Sequence, residues 1–372
     1  MNIIIFIVIL GILVFVHELG HFLFAKLFGI RVDEFGFGYP PRAFKIGTWR
    51  GTEITLNWIP FGGFVRIFGE SDDGSKLSDE EKKMSLVHKP RWQQFLVMFG
   101  GILFNVIFAW VLFSGLFING MQSSVDTAPV GYQFESTKLL VTQVLQGSPA
   151  DVGGLKMGDE VKEYFKVSDR EGEYDPILVQ EEGLYEISDF INRAAVEGEN
   201  VGFIVLRNDD NPQVVVMIPE SGLVAERYAV GVNLEKVGIL KLPFFEALKY
   251  GAKSVAHYTT DMAFGFWQLI TGAIAFENVS GPIGIAGQVG ETAKLGFVYL
   301  VMFTGLLSLN LAVINLVPFP ALDGGRILVI LIESIVRRRI NPSIINWINA
   351  IGFTLLIGLM LLVTTKDIIK LF

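Results

Sequence analysis

The chain contains no cysteine. That excludes disulfides and thiolate metal sites, so any metal must be held by histidine and carboxylate. Histidine is itself scarce, with four in 372 residues. Charge is scarce too: Asp, Glu, Lys and Arg make up 18% of the chain, against 51% hydrophobic residues and a mean hydropathy of +0.49. That balance suits a protein lying partly in lipid rather than a plain soluble one. The net charge of −8, with no basic cluster carrying interleaved aromatics, excludes a general nucleic-acid partner.

Two of the four histidines fall in residues 13–24, Leu-Val-Phe-Val-His-Glu-Leu-Gly-His-Phe-Leu-Phe, inside an apolar run from Ile3 to Phe28. On an α-helix His17 and His21 lie one above the other, so both imidazoles can reach one metal ion. Glu18 is rotated about 100° from His17 and flanks that face, where a carboxylate can act as general base. Two imidazoles and a carboxylate are expensive to bury in lipid without a purpose. The bland alternative is a pair of core histidines satisfied by neighbours.

Four segments are long and apolar enough to span a bilayer: roughly 3–28, 94–118, 296–318 and 344–363. The first is too long for a signal-peptide core and lacks a basic leader, so it is expected to be retained. A fifth stretch, Met262 to Phe276, follows Lys253, His257 and Asp261 and reads as interfacial or re-entrant. Residues 29–92 carry ten Lys and Arg, and the last loop carries Arg337, Arg338 and Arg339. Basic loops stay in the cytoplasm, which places both termini outside. His17 then sits about 21 Å along its helix, in the cytoplasmic half of the membrane. The third span descends to the same side and leads through Asn315-Leu-Val-Pro-Phe-Pro-Ala-Leu to Asp323-Gly-Gly325, so Asp323 arrives at a similar depth. Two histidines and one carboxylate, with a fourth position open, make a catalytic zinc shell. Asp323 would equally suit the N-cap of a helix over Gly324–Val336.

Arg42–Thr48 and Thr52–Trp58 read as two strands joined by a turn at Trp49-Arg50-Gly51. With glycines at 36, 38, 62 and 63 and many aromatics, the hairpin either dips towards the site or covers it from the cytoplasm. Residues 71–83 read as a solvated loop. Residues 119–241 change character, with acidic residues outnumbering basic ones and short β-rich runs at Leu139–Leu145, Val201–Arg207 and Val214–Ile218. A helix is expected over Ser188–Ala195, and an acidic loop near 169–182. This is a soluble α+β module on the external side.

These residues resemble the site-2 proteases, specifically the RseP-like bacterial intramembrane zinc metalloproteases, nearly end to end. His17-Glu-Leu-Gly-His21, the block from Asn315 to Asp323-Gly-Gly, and the run Ser148-Pro-Ala through Gly158-Asp159-Glu160 carry the likeness. Phe61-Gly-Gly-Phe-Val-Arg66, Ser280-Gly-Pro-Ile-Gly-Ile285 and Lys366-Asp367-Ile368 support it. The resemblance implies that His17, His21 and Asp323 bind zinc and that Glu18 is the general base. It further implies that Asn315, Pro318 and Pro320 shape a substrate groove, and that the module is a single PDZ-like domain. Asn105 and Asn315 are equally suited to interhelical hydrogen bonds. Gly100-Gly-Ile-Leu-Phe-Asn105 departs from the family's Gly-Pro before the asparagine, a change expected to leave the metal site untouched.

The expectation is therefore a polytopic α-helical membrane protein. It has four transmembrane helices, a re-entrant β-hairpin and an inserted α+β PDZ-like domain. Residues 1–118 form the first half of the core, 119–241 the external domain, 242–295 an interfacial segment and 296–372 the second half. Its substrates are expected to be single-span membrane proteins, trimmed beforehand on the outside and unwound to pair with the hairpin as a strand. Thr55 and Asn57, which share a strand facing, are the positions expected to line that pairing edge. The PDZ-like domain would bind peptide or exclude untrimmed substrates. The competing classes are a non-catalytic membrane scaffold and an ion relay through His17, Glu18 and Asp323.

Overall fold

The computed structural model describes residues 2–70, 77–125, 134–167, 177–178, 184–207, 211–224, 227–273 and 279–369. The chain divides into two compact units, Met1–Phe117 with Pro243–Phe372, and Ile118–Leu242.

The first unit opens with α1 (Asn2–Leu27), which carries no charge before Glu18. Gly29, at φ 63°, ends it: Gly29 N–H donates to the Lys26 carbonyl and Ile30 N–H to that of Ala25. That paired termination needs a left-handed residue, which glycine supplies without strain. The chain turns directly into β1 (Val32–Trp49) and β2 (Thr52–Ile67). Arg50 and Gly51, both at positive φ, make the two-residue turn.

Both strands run well beyond the expected hairpin and fold back on themselves. Arg42, Phe44, Lys45 and Thr48 pair with Asn57, Leu56, Thr55 and Glu53. On their other side, Ile54, Thr55 and Leu56 face Phe35, Gly36 and Phe37, which in turn pair with Val65, Phe64 and Gly63. The result is a sheet of four segments in the order 42–49, 52–59, 32–39, 63–67. Its apolar side joins a core of Phe22, Val32, Phe35, Ile67, Val97, Ile102 and Ile327.

Where a loop was expected at 71–83, the described part includes the short helix α2 (Asp79–Met84). Ser78 and Glu81 cap it reciprocally, a local hydrogen-bond pattern that makes the charge run helical. Next comes α3 (Arg91–Asn119).

The second unit begins with β3 (Met121–Ser124), β4 (Glu135–Val144), α4 (Pro149–Val152), β5 (Glu160–Val167) and β6 (Ile177–Leu178). It continues with α5 (Leu184–Val196), β7 (Asn200–Arg207), β8 (Asn211–Met217), β9 (Glu220–Val224), β10 (Arg227–Ala229) and β11 (Val232–Leu240). The sheet runs β3-β11-β4-β5-β7-β8, with β6 on β5. Val141, Tyr164, Phe203 and Val205 pack from the sheet against Ile187, Phe190 and Ala194 of α5. Most of the acidic loop near 169–182 lies outside the described residues.

The first unit resumes with α6 (Phe244–Ile270), α7 (Pro282–Leu295), α8 (Phe297–Leu316), α9 (Asp323–Val336) and α10 (Pro342–Ile369). The expected segment at 262–276 is the end of α6, a helix of 27 residues; 274–276 lie outside the described residues. Glu246, Lys249, Lys253, His257 and Asp261 recur every three or four residues, so α6 is amphipathic from Glu246 to Asp261 and apolar beyond it. Among the described residues, four helices are long and apolar enough to cross a membrane: α1, α3, α8 and α10. Val289 of α7 packs with Ile9 and Leu13 of α1. Asp367 of α10 accepts hydrogen bonds from the N–H groups of Gly281 and Gly284 at the start of α7. Buried Glu333 of α9 pairs with Arg91 of α3 at 2.6 Å and accepts the Ile340 N–H.

Candidate metal centre

Three side chains from opposite ends of the chain converge. His17 Nε2 lies 2.9 Å from Asp323 Oδ2, His21 Nε2 lies 3.3 Å from it, and the two Nε2 atoms are 3.2 Å apart. Both histidines are buried, and Asp323 nearly so. Asp323 Oδ2 is buried yet accepts no hydrogen bond, despite two nitrogens at that distance. Zinc with tetrahedral ligands at 2.0–2.1 Å needs ligand atoms about 3.3 Å from one another. The triangle matches that demand, and the donor set of two imidazoles and a carboxylate suits zinc.

Asp323 is the first residue of α9, and Leu322 holds the N-cap position with no side-chain cap bond. The N-cap role that the sequence allowed for Asp323 is therefore not the one it takes. Its approach depends on the two glycines that follow. A Cβ on Gly324 would stand 2.2 Å from the Val317 carbonyl oxygen, and one on Gly325 the same distance from that of Phe319. Only bare backbone lets α9 start so close to its own linker.

The helix α3 forms the wall behind the imidazoles. His21 Nδ1 lies 2.8 Å from the Val97 carbonyl oxygen, so its Nδ1–H is held and Nε2 is left with a lone pair. His17 Nδ1 lies 3.1 Å from the Asn105 carboxamide. Between them, a Cβ on Gly101 would meet His21 Nε2 at 2.5 Å and His17 Nε2 at 2.8 Å. One turn of α1 crosses here as well: a Cβ on Gly20 would stand 2.1 Å from the Gly100 carbonyl oxygen. The Gly100-Gly101 pair thus bears directly on the cluster, contrary to the expectation that this region leaves the metal site untouched. The sequence did carry the signal, as glycines inside an apolar helix mark close approach.

Glu18 is half-buried beside the cluster, within electrostatic reach of His21, Asp323 and Arg326. The backbone of Val65 lies near its carboxylate, and Gly63 lies beside its Cγ. Arg326, one turn along α9 from Asp323, pairs with Glu70 just beyond β2. The last segment of the β-sheet, 63–67, therefore runs past the glutamate.

Asn315 lies in the last turn of α8, half-buried, with Pro318 exposed and Pro320 half-buried on the linker to α9. Gly352 of α10 packs on Pro320, and Asn349 accepts the Ala321 N–H at 3.3 Å. Thr55 and Asn57 are not on a pairing edge. Both are buried, Thr55 pairs with Gly36 on one side and Lys45 on the other, and its hydroxyl donates to Glu34 at 2.8 Å. Asn57 Nδ2 donates to the Gly38 carbonyl. Because each strand doubles back, the segment 52–59 is interior, and the free edges belong to 42–49 and 63–67.

The family model for peptidase family M50 matches residues 5–359. The chain belongs to the M50 peptidases, the site-2 protease family. A Clostridium perfringens protein assigned by name to the zinc metalloproteases is 36% identical over 363 residues, covering 96% of this chain and 95% of its own. A Fusobacterium nucleatum protein similarly assigned is 30% identical over the whole of both chains. The zinc metalloprotease RasP of Geobacillus kaustophilus is 29% identical, over all of this chain and 98% of its own. This M50 peptidase is a zinc-dependent metalloprotease and a multi-pass membrane protein.

Proposed function

We propose that this M50 peptidase cuts single-span membrane proteins within or beside their transmembrane segment, with His17, His21 and Asp323 holding zinc and Glu18 as general base. The observation that carries the reading is the His17–His21–Asp323 triangle, with both histidines on a helix long and apolar enough to cross a membrane, Asp323 at the start of α9 and Glu18 at the flank. Zinc, when bound, supplies Lewis acidity, polarising the scissile carbonyl and lowering the pKa of water to about 7. Glu18 takes the proton of the attacking water and delivers it to the leaving amide nitrogen.

A transmembrane helix hides its peptide bonds in its own hydrogen bonds, and lipid offers no replacement once it unwinds. The sheet supplies one. The edge 63–67 lies beside Glu18, so a substrate strand added there would bring its backbone to the base. Asn315, Pro318 and Pro320 border the same linker as Asp323 and would line the rest of the groove. This sheet is the family's re-entrant β-loop in our reading.

Residues 118–242 act as a single PDZ-like domain, and they and both ends of the sequence lie outside the cytoplasm, given the basic residues between α1 and α3 and between α9 and α10. Beside α5 and the start of β11, a groove of about 460 Å³ is lined by Leu145, Ile187, Ile191, Tyr228, Val230 and Val232. It suits an extended apolar peptide, or the freed end of a trimmed substrate. The test is cleavage in detergent of a single-span protein with and without its outer domain. Mass spectrometry should place the cut in the transmembrane segment, faster without the domain and abolished by Glu18→Gln. Cuts confined to soluble segments would overturn the reading.

A further inference from the structure

Asn105 is completely buried in a membrane-crossing helix, and one end of its carboxamide has no partner. Such a group costs free energy unless it is used. We propose that Asn105 is a positioning residue, whose carboxamide oxygen holds the His17 Nδ1–H and so keeps His17 in the tautomer a metal requires.

The argument rests on proton placement. For His17 Nε2 to offer a lone pair, the ring proton must sit on Nδ1, and a buried Nδ1–H needs an acceptor. The Asn105 carboxamide nitrogen Nδ2 lies 3.1 Å from Nδ1, and Oδ1 is the unpartnered end. With its nitrogen turned to Nδ1, the ring proton is forced onto Nε2, which then faces Asp323 Oδ2 at 2.9 Å. That tautomer leaves Nε2 no lone pair for a metal. A half-turn of the carboxamide brings Oδ1 to Nδ1–H and frees Nε2 for the metal. Val97, Gly101 and Asn105 stand at successive turns of α3, offering a carbonyl to His21, bare backbone to both rings and a carboxamide to His17.

The competing role, a bond between helices, is already filled by other atoms. Ser308 of α8 donates to the Asn105 backbone carbonyl at 2.8 Å, a contact that survives any change of side chain. The carboxamide is thus free to serve the imidazole.

The inference rests on His17 being a zinc ligand, and the test separates the two claims. Zinc affinity is measured by chelator competition on purified, detergent-solubilised protein, together with the visible spectrum of the Co²⁺-loaded form. Asn105→Leu, which accepts nothing, should bind zinc 10–100-fold more weakly, with altered Co²⁺ bands. Asn105→Asp, which also accepts from Nδ1–H, should stay within about three-fold of wild type. Asn105→Ala serves in place of Leu where Leu does not fold. Wild-type affinity in the Leu or Ala variant, or an Asp variant as weak as Leu, overturns the proposal. His17→Ala should lose zinc throughout; if it keeps zinc, the ligand assignment itself is wrong.

Discussion

Gly101 lies so close to His21 that a methyl group at that position would stand 2.5 Å from Nε2. In an ordinary helix, glycine to alanine gains about 1 kcal/mol. Here the clash should win, because overpacking a closed site costs about 1–3 kcal/mol. Gly101→Ala is therefore expected to lower both the melting temperature and zinc affinity, the latter by at least ten-fold. A variant that melts higher and keeps its zinc would show that α3 has room to move.

Glu18→Gln keeps shape and polarity but removes the proton acceptor. The expected outcome is near-normal zinc content with cleavage reduced by at least 10²-fold. Parallel zinc analysis and a detergent cleavage assay distinguish loss of the base from loss of the metal.

Asp323→Asn removes the negative charge proposed to face zinc while sparing the start of α9, whose N-cap bond Asp323 does not make. Zinc should be lost on dialysis, and the folded yield should hold. Full metal occupancy after dialysis would exclude Asp323 from the shell.

Thr55→Val tests the interior placement of the segment 52–59. The change strips one donor from buried Glu34, which still has Arg42 at 2.9 Å and Arg66 at 3.2 Å. Stability should fall by about 1–3 kcal/mol, with KM for a cleaved substrate unchanged. A selective rise in KM at unchanged stability would return Thr55 to the substrate.

The spans and the metal motif were legible because they depend on local pattern: long apolar runs, an i, i+4 pair of histidines, and a carboxylate at matching depth. The module's strands at 139–145, 201–207 and 214–218 followed from β-rich runs and turn residues, and all three are present as β4, β7 and β8. What the sequence concealed depends on tertiary contact. Nothing in Thr52–Trp58 reveals that Phe35–Tyr39 will lie along its far side, so an interior segment read as an edge. The charges of α6 broke its hydropathy and hid a helix of 27 residues, because their spacing, not their number, is informative. Gly101 was visible as a residue, but its contact with two imidazoles arises only from the crossing of α1 and α3.

His17 and His21 are made well before Asp323. During synthesis the first membrane helix therefore carries two imidazoles and a base without their third partner, while the whole of residues 118–242 is still being made. A two-ligand site holds metal weakly. The three side chains can therefore come together only after α9 has been made and has packed beside α1, which makes closing of the cluster a late event in folding.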